Sequence, residues 1–133
     1  MAARKNISSG THWEEQVGYS RAVRMGNIIE VAGTTALDKE RIVAPGDAYA
    51  QTVFIIGKIE KALREAGAGL NDVVRTRMYV VDLQWAEQVG RAHAEFFSAI
   101  RPASIMIEIS ALVHPDLLVE MEVSAILADS VPE

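Results

Sequence analysis

From residue 47 onward the hydrophobic pattern changes period in a fixed rhythm: helix, strand, helix, strand, strand. Few folds accommodate that rhythm. Residues 47–66 repeat apolar side chains at helical spacing, with Tyr49, Val53, Ile56, Ile59 and Leu63 on one side. Asp47, after Pro45-Gly46, is the expected N-cap, and the glycines of 66–69 signal the stop. Residues 73–81 are rich in β-branched and aromatic residues and predict a strand. Asp82 then predicts the N-cap of a second helix over about 84–100, with Trp85, Val89, Ala92 and Phe96 on its inner face. Pro102 ends that helix. Residues 103–110 and 118–127 alternate with period two, around a loop holding His114-Pro115. Upstream, residues 20–24 and 28–34 read as strands joined at Gly26-Asn27, a hairpin-type turn, and Gly33 marks a bulge or strand end. Residues 1–18 are polar and carry no clear period. The order β-β-α-β-α-β-β predicts an α/β (α+β) fold: a mixed sheet with two helices packed on one face.

The 133 residues suit a single domain, 1–133, with a modest core. Half of them are hydrophobic, which argues against disorder. No cysteine is present, which excludes a disulfide framework, a thiol nucleophile and a thiolate metal site. His12, His93 and His114 lack metal-ligand spacing, and no phosphate-binding glycine loop occurs, so neither a metal nor a cofactor is expected. A net charge of −5 without a basic run argues against nucleic-acid binding. The first residues lack the apolar segment of a secretory signal, and no apolar run would span a bilayer. A cytoplasmic protein with no membrane partner is therefore expected.

Period-two bookkeeping raises a problem on the sheet. Ala103, Ile105, Ile107 and Ile109 are expected beneath the helices, as are Val119, Met121, Val123 and Ala125. The opposite set is Ser104, Met106, Glu108 and Ser110, with Leu118, Glu120, Glu122 and Ser124. If the two last strands pair symmetrically, Glu108 meets Glu120, and like charges directly opposite are destabilising. Arg75 and Arg77 on the strand 73–81 are the candidates to offset them. The face is then either solvated or a cleft or interface where these charges are partly desolvated. Glu120 is a candidate base there, since burial raises a carboxyl pKa. His114 is the outside candidate for acid–base work.

Several blocks in order resemble the RidA/YjgF family, from about residue 18 to 127. They are "YSRAVRMGNIIEVAGTTALD", "LNDVVRTRMYVVDL", "AHAEFF", "RPAS" and "VEMEV". The resemblance implies a chorismate-mutase-like fold and a homotrimer, in which the sheets form a barrel and small-molecule clefts lie between subunits. It implies hydrolysis of reactive enamines or imines, such as 2-aminoacrylate, to a keto acid and ammonia. Glu120 matches the family's catalytic glutamate, and Tyr19 and Gly33 match residues that line the cleft. Thr34, Arg77, Ser104 and Met106 complete the candidate substrate-binding set. Two positions depart from the family pattern. Ser104 stands where an arginine would grip the substrate carboxylate, and Gly90 where an asparagine is usual. The turn near His114 is also one residue longer. Serine offers one neutral hydrogen bond in place of a bidentate, charge-assisted grip, which implies a changed substrate. Two alternatives remain: a metabolite-binding or regulatory trimer without turnover, and, ranked last, an endoribonuclease or translation inhibitor.

Overall fold

The computed structural model describes residues 3–128. A six-stranded sheet runs in the order β1-β2-β3-β8-β6-β7. Its strands are β1 (Arg4–Ile7), β2 (Ala22–Met25), β3 (Ile28–Thr35), β6 (Val73–Val80), β7 (Ala103–Glu108) and β8 (Val119–Ile126). A small ribbon of β4 (Leu37–Asp38) and β5 (Arg41–Ile42) leaves the end of β3. The helices are α1 (His12–Val17), α2 (Ala48–Glu65) and α3 (Ala86–Phe97). β1 and α1 lie in the segment whose sequence carries no clear period.

Helix α2 starts where Asp47 accepts from the Ala50 amide at 2.9 Å and ends before Gly67, whose φ of 93° suits glycine. It packs on β3 and β8. Its buried stripe is Gln51, Thr52, Ile55, Ile56, Ile59, Ala62 and Leu63, while Tyr49 and Val53 are only half-buried. On α3 the inner aromatic is Phe97, and Phe96 is exposed.

Two expectations about the sheet are overturned. β7 and β8 are not neighbours: β8 lies between β3 and β6, antiparallel to both, and β7 pairs parallel with the outer edge of β6. The crossover through α3 explains this, since a helical connection joins parallel strands. β8 takes the centre because its inner side is apolar throughout, with Val119, Met121, Val123 and Ala125 all buried. Glu108 therefore sits opposite Val80, and Glu120 opposite Tyr79 and Thr35.

The faces of β7 are also inverted. The register sets Ser104 beside Thr76, Met106 beside Met78 and Glu108 beside Val80. Thr76, Met78 and Val80 are buried under the helices, so their neighbours on β7 share that side. Ile105 and Ile107 lie beside Arg77 and Tyr79 on the open face, 49% and 41% exposed. Partner register outweighed hydrophobicity because β7 is an edge strand, where neither face is fully covered.

Candidate active site

The open face of β8 carries Glu120 and Glu122. Tyr79 donates its hydroxyl to Glu122 Oε1, which leaves Glu120 as the carboxylate without a hydrogen bond or ion pair among the described residues. The arginines expected to offset this pair do not do so: Arg77 is beside Glu122 in the register but forms no ion pair within 4.0 Å among the described residues.

Glu120 is half-buried and stands between two cavities. One, of about 380 Å³, is bounded by Trp13 and Val17 of α1, by Tyr19, Arg21 and Gly33, and by Lys58 of α2. The other, of about 530 Å³, is bounded by Tyr79, Glu122, Ile109 and residues 111–113. Gly33 and Val113 line both. A Cβ at position 33 would collide with Glu120 Oε2, so the glycine lets the carboxylate end of Glu120 sit against the β3 backbone, and any side chain there would push it aside. β3 breaks register between Val31 and Thr34, which displaces Gly33 against the carboxylate.

Burial pushes the Glu120 carboxyl above the usual carboxylate range; Arg21 works against this and Glu122 adds to it. Lys58 is pushed the other way, below the usual lysine range, first by burial and then by Arg21, with Asp38 opposing. Its Nζ donates to the Thr35 and Leu37 carbonyls at 3.1 and 2.8 Å. Arg21 donates from Nη2 to the Gly33 carbonyl at 2.6 Å.

Helix α1 brings Trp13 and Val17 to the cavity because Glu14 anchors it. Glu14 accepts from the Ser9 amide and hydroxyl and from Thr11 Oγ1. Burial alone would raise its carboxyl, but hydrogen bonds from Ser9, Thr11 and Ser8 together hold it low.

Of the residues singled out in the sequence, Tyr19, Gly33 and Glu120 come together in one cavity. Thr34 is fully buried, with its hydroxyl on the Ala32 carbonyl at 2.8 Å. Arg77 borders a separate surface hollow with Tyr19 and Glu122. Ser104 and Met106 line neither cavity at Glu120. With its proton on Nε2, His93 donates to Thr76 Oγ1 at 2.8 Å, and Thr76 donates to Ser104 Oγ at 2.7 Å. Burial holds His93 below the usual histidine range. His114 is exposed, bonded through Nδ1 to the Asp116 amide at 3.0 Å, and lines neither cavity.

Arg21 and Lys58 escaped the sequence reading. Lys58 left a trace: Gln51, Ile55, Lys58 and Ala62 fall on one helical stripe, and a cation on an otherwise buried stripe faces something specific.

Comparison with known proteins places the chain among relatives. The sequence profile of the family described as endoribonuclease L-PSP matches residues 11–127. A crystal structure of a member of the YjgF/YER057c/UK114 family from Mycobacterium tuberculosis is 47% identical. It covers 94% of this chain and 100% of its own, at a TM-score of 0.86. A RutC family protein from Pyrococcus abyssi is 40% identical, over 80% of this chain and 84% of its own. The 3-aminoacrylate deaminase RutC of Acinetobacter baylyi is 35% identical, over 77% of this chain and 82% of its own.

Proposed function

The chain belongs to the endoribonuclease L-PSP family, the RidA/YjgF family its strand blocks resemble, and from that footing we propose that it hydrolyses a small enamine or imine with Glu120 as the general base. The observation that carries this reading is a half-buried carboxylate, held high by burial and without a hydrogen-bond partner among the described residues, between two cavities. In imine hydrolysis, water adds to the carbon of the protonated imine while Glu120 takes a proton from it, giving the neutral carbinolamine. Glu120 returns that proton to the nitrogen, the C–N bond breaks as the carbonyl forms, and the hydroxyl proton passes through Glu120 to the departing ammonia, so that a carbonyl compound and ammonium leave. An enamine is first protonated at carbon to reach the imine. A base whose pKa approaches the working pH suits both proton transfers.

The functional unit is a homotrimer. Ile105 and Ile107 are exposed on the open face beside Arg77 and Tyr79, apolar area that a partner subunit would cover. Ser104 supplies no cation and is held under α3 through Thr76, which points to a substrate other than the family's usual one. The same observation favours a second reading, a trimer that binds a metabolite without turning it over. Ribonuclease activity ranks last, because the net charge is −5 and the open face sets Glu120, Glu122 and Glu30 beside Arg77 rather than presenting a basic run.

The test generates imines in situ with an amino-acid oxidase and follows their loss. Acceleration by the wild-type protein, abolished in Glu120→Gln, supports the hydrolase. No acceleration across a broad imine panel leaves the binding reading in its place.

A further inference from the structure

Lys58 lies in the middle of α2 and lines two hollows that share part of their walls, the 380 Å³ cavity at Glu120 and another of about 360 Å³. Its side chain is half-buried, and the Phe54 ring, with its centroid 5.8 Å from Nζ, helps to cover it. A neutral amine has two N–H bonds and one lone pair. The Thr35 and Leu37 carbonyls, at 3.1 and 2.8 Å, take both N–H bonds and leave the lone pair unspent. An ammonium would bring a third N–H, and no third acceptor is bonded to Nζ among the described residues. The charged groups that line the two hollows with Lys58 are balanced: Arg21, Lys39 and Lys61 against Asp38, Glu65 and Glu120. Among the described residues none of them pairs with Lys58 within 4.0 Å. Burial and then the Arg21 guanidinium favour the uncharged amine, and Asp38 opposes them more weakly. Arg21 is itself fixed there by the Gly33 carbonyl at 2.6 Å. A lysine desolvated beside another cation is an activated nucleophile.

We propose that Lys58 is a nucleophilic amine that forms a Schiff base with the electrophilic carbon of the substrate, and that water then releases the product beside Glu120. This rests on the hydrolase reading above and adds a covalent step to it. Neutral Nζ adds to the carbon of the protonated imine, and a new C–N bond forms. A proton moves from Nζ to the substrate nitrogen. The bond from carbon to that nitrogen breaks, ammonia leaves with the electron pair, and a protonated imine remains on Lys58. Water adds to its carbon while Glu120 takes a proton from the water. Glu120 returns that proton to Nζ, the bond from carbon to Nζ breaks as the carbonyl forms, and the hydroxyl proton passes through Glu120 to the released ammonia. Lys58 is left as the neutral amine, and no oxidant or reductant is consumed. Lys58 and Glu120 line the same 380 Å³ cavity, so the tethered carbon stays with the base that the second half of the reaction uses. The covalent bond also holds the substrate in a chain whose Ser104 supplies no cation.

The test treats the full chain with benzaldehyde and sodium cyanoborohydride, which fixes a Schiff base as a secondary amine, and reads each lysine by peptide mass spectrometry. The exposed Lys5, Lys39 and Lys61 are internal controls. At about pH 7 Lys58 should be labelled roughly tenfold or more faster than these, because an ordinary lysine is almost wholly protonated there, and the preference should fade near pH ~10. Arg21→Gln should shrink the preference and Asp38→Asn should enlarge it, opposite shifts of the pH profile that a merely structural lysine would not give. Lys58→Arg should lose imine turnover. Circular dichroism checks the fold of each variant, and if one is unfolded the labelling pattern of the wild type decides. Labelling spread evenly over the four lysines, or none on Lys58, overturns the proposal. Wild-type turnover in Lys58→Arg overturns the covalent step alone and leaves Glu120 with direct addition of water. Selective labelling of Lys58 in a protein that hydrolyses no imine overturns the hydrolase alone.

Discussion

Glu120 is held in a state that costs the fold something. Its carboxyl is raised mainly by burial, so the folded chain binds a proton more tightly than the unfolded chain between the ordinary glutamate range and the raised value. Stability falls with rising pH wherever the folded state holds more protons, so the ionised Glu120 is a net penalty at neutral pH. Glu120→Gln should therefore raise the melting temperature near pH 7 and lose most of this advantage near pH 4, while hydrolysis is lost. Glu14 has the opposite sign: it is held low, so its contribution is present above the ordinary range and disappears on acidification. Gly33→Ala should be the sharper lesion. The added methyl meets Glu120 Oε2 and pushes the carboxylate out of its place between the cavities, so turnover should drop. Gly33 and Glu120 entered the candidate set through the family blocks they belong to, with Glu120 also marked by its place on a part-buried strand. Arg21 did not, because a single arginine before a strand reads as ordinary surface.

At the level of elements, Gln51 ties α2 to the loop that carries Val113. Its Nε2 donates to the Asp116 carbonyl at 2.9 Å, and its Oε1 accepts from the Leu118 amide at 2.9 Å. Gln51→Leu would keep the buried volume but orphan both backbone groups, at about 1–3 kcal/mol each, and a lower chemical-denaturation midpoint is the expected readout. Phe97→Ala should cost about 3–5 kcal/mol, since Phe97 is fully buried, whereas exposed Phe96→Ala should be close to neutral. The two helices and the strands β2, β3, β6 and β8 were legible from period and caps. The phase within α3 was not, because Phe96 and Phe97 are adjacent and either satisfies the spacing. β7 was misassigned to the helix side because its isoleucines alternate as a core strand would. Only its pairing with β6 fixes the face, and pairing is a long-range property.

For the whole molecule, the sheet is covered by helices on one side and leaves the other with Ile105, Ile107, Tyr79 and Glu122. If this face assembles into a trimer, Ile105→Asp combined with Ile107→Asp should yield a monomer by light scattering, with near-native circular dichroism because both side chains are exposed within the single chain. A monomeric wild type would remove the shared-cleft part of the account but leave the single-chain cavity at Glu120 intact. Among the described residues no helix is long and apolar enough to cross a membrane. The account's central claim is that Glu120 is the base of an imine hydrolase. The most direct measurement is the rate of loss of an in situ-generated imine with wild type and with Glu120→Gln at equal concentration, across pH. The account predicts that wild type accelerates the loss, with an apparent midpoint above the ordinary glutamate range, and that Glu120→Gln falls by roughly two to four decades. Equal rates for the two proteins would contradict it.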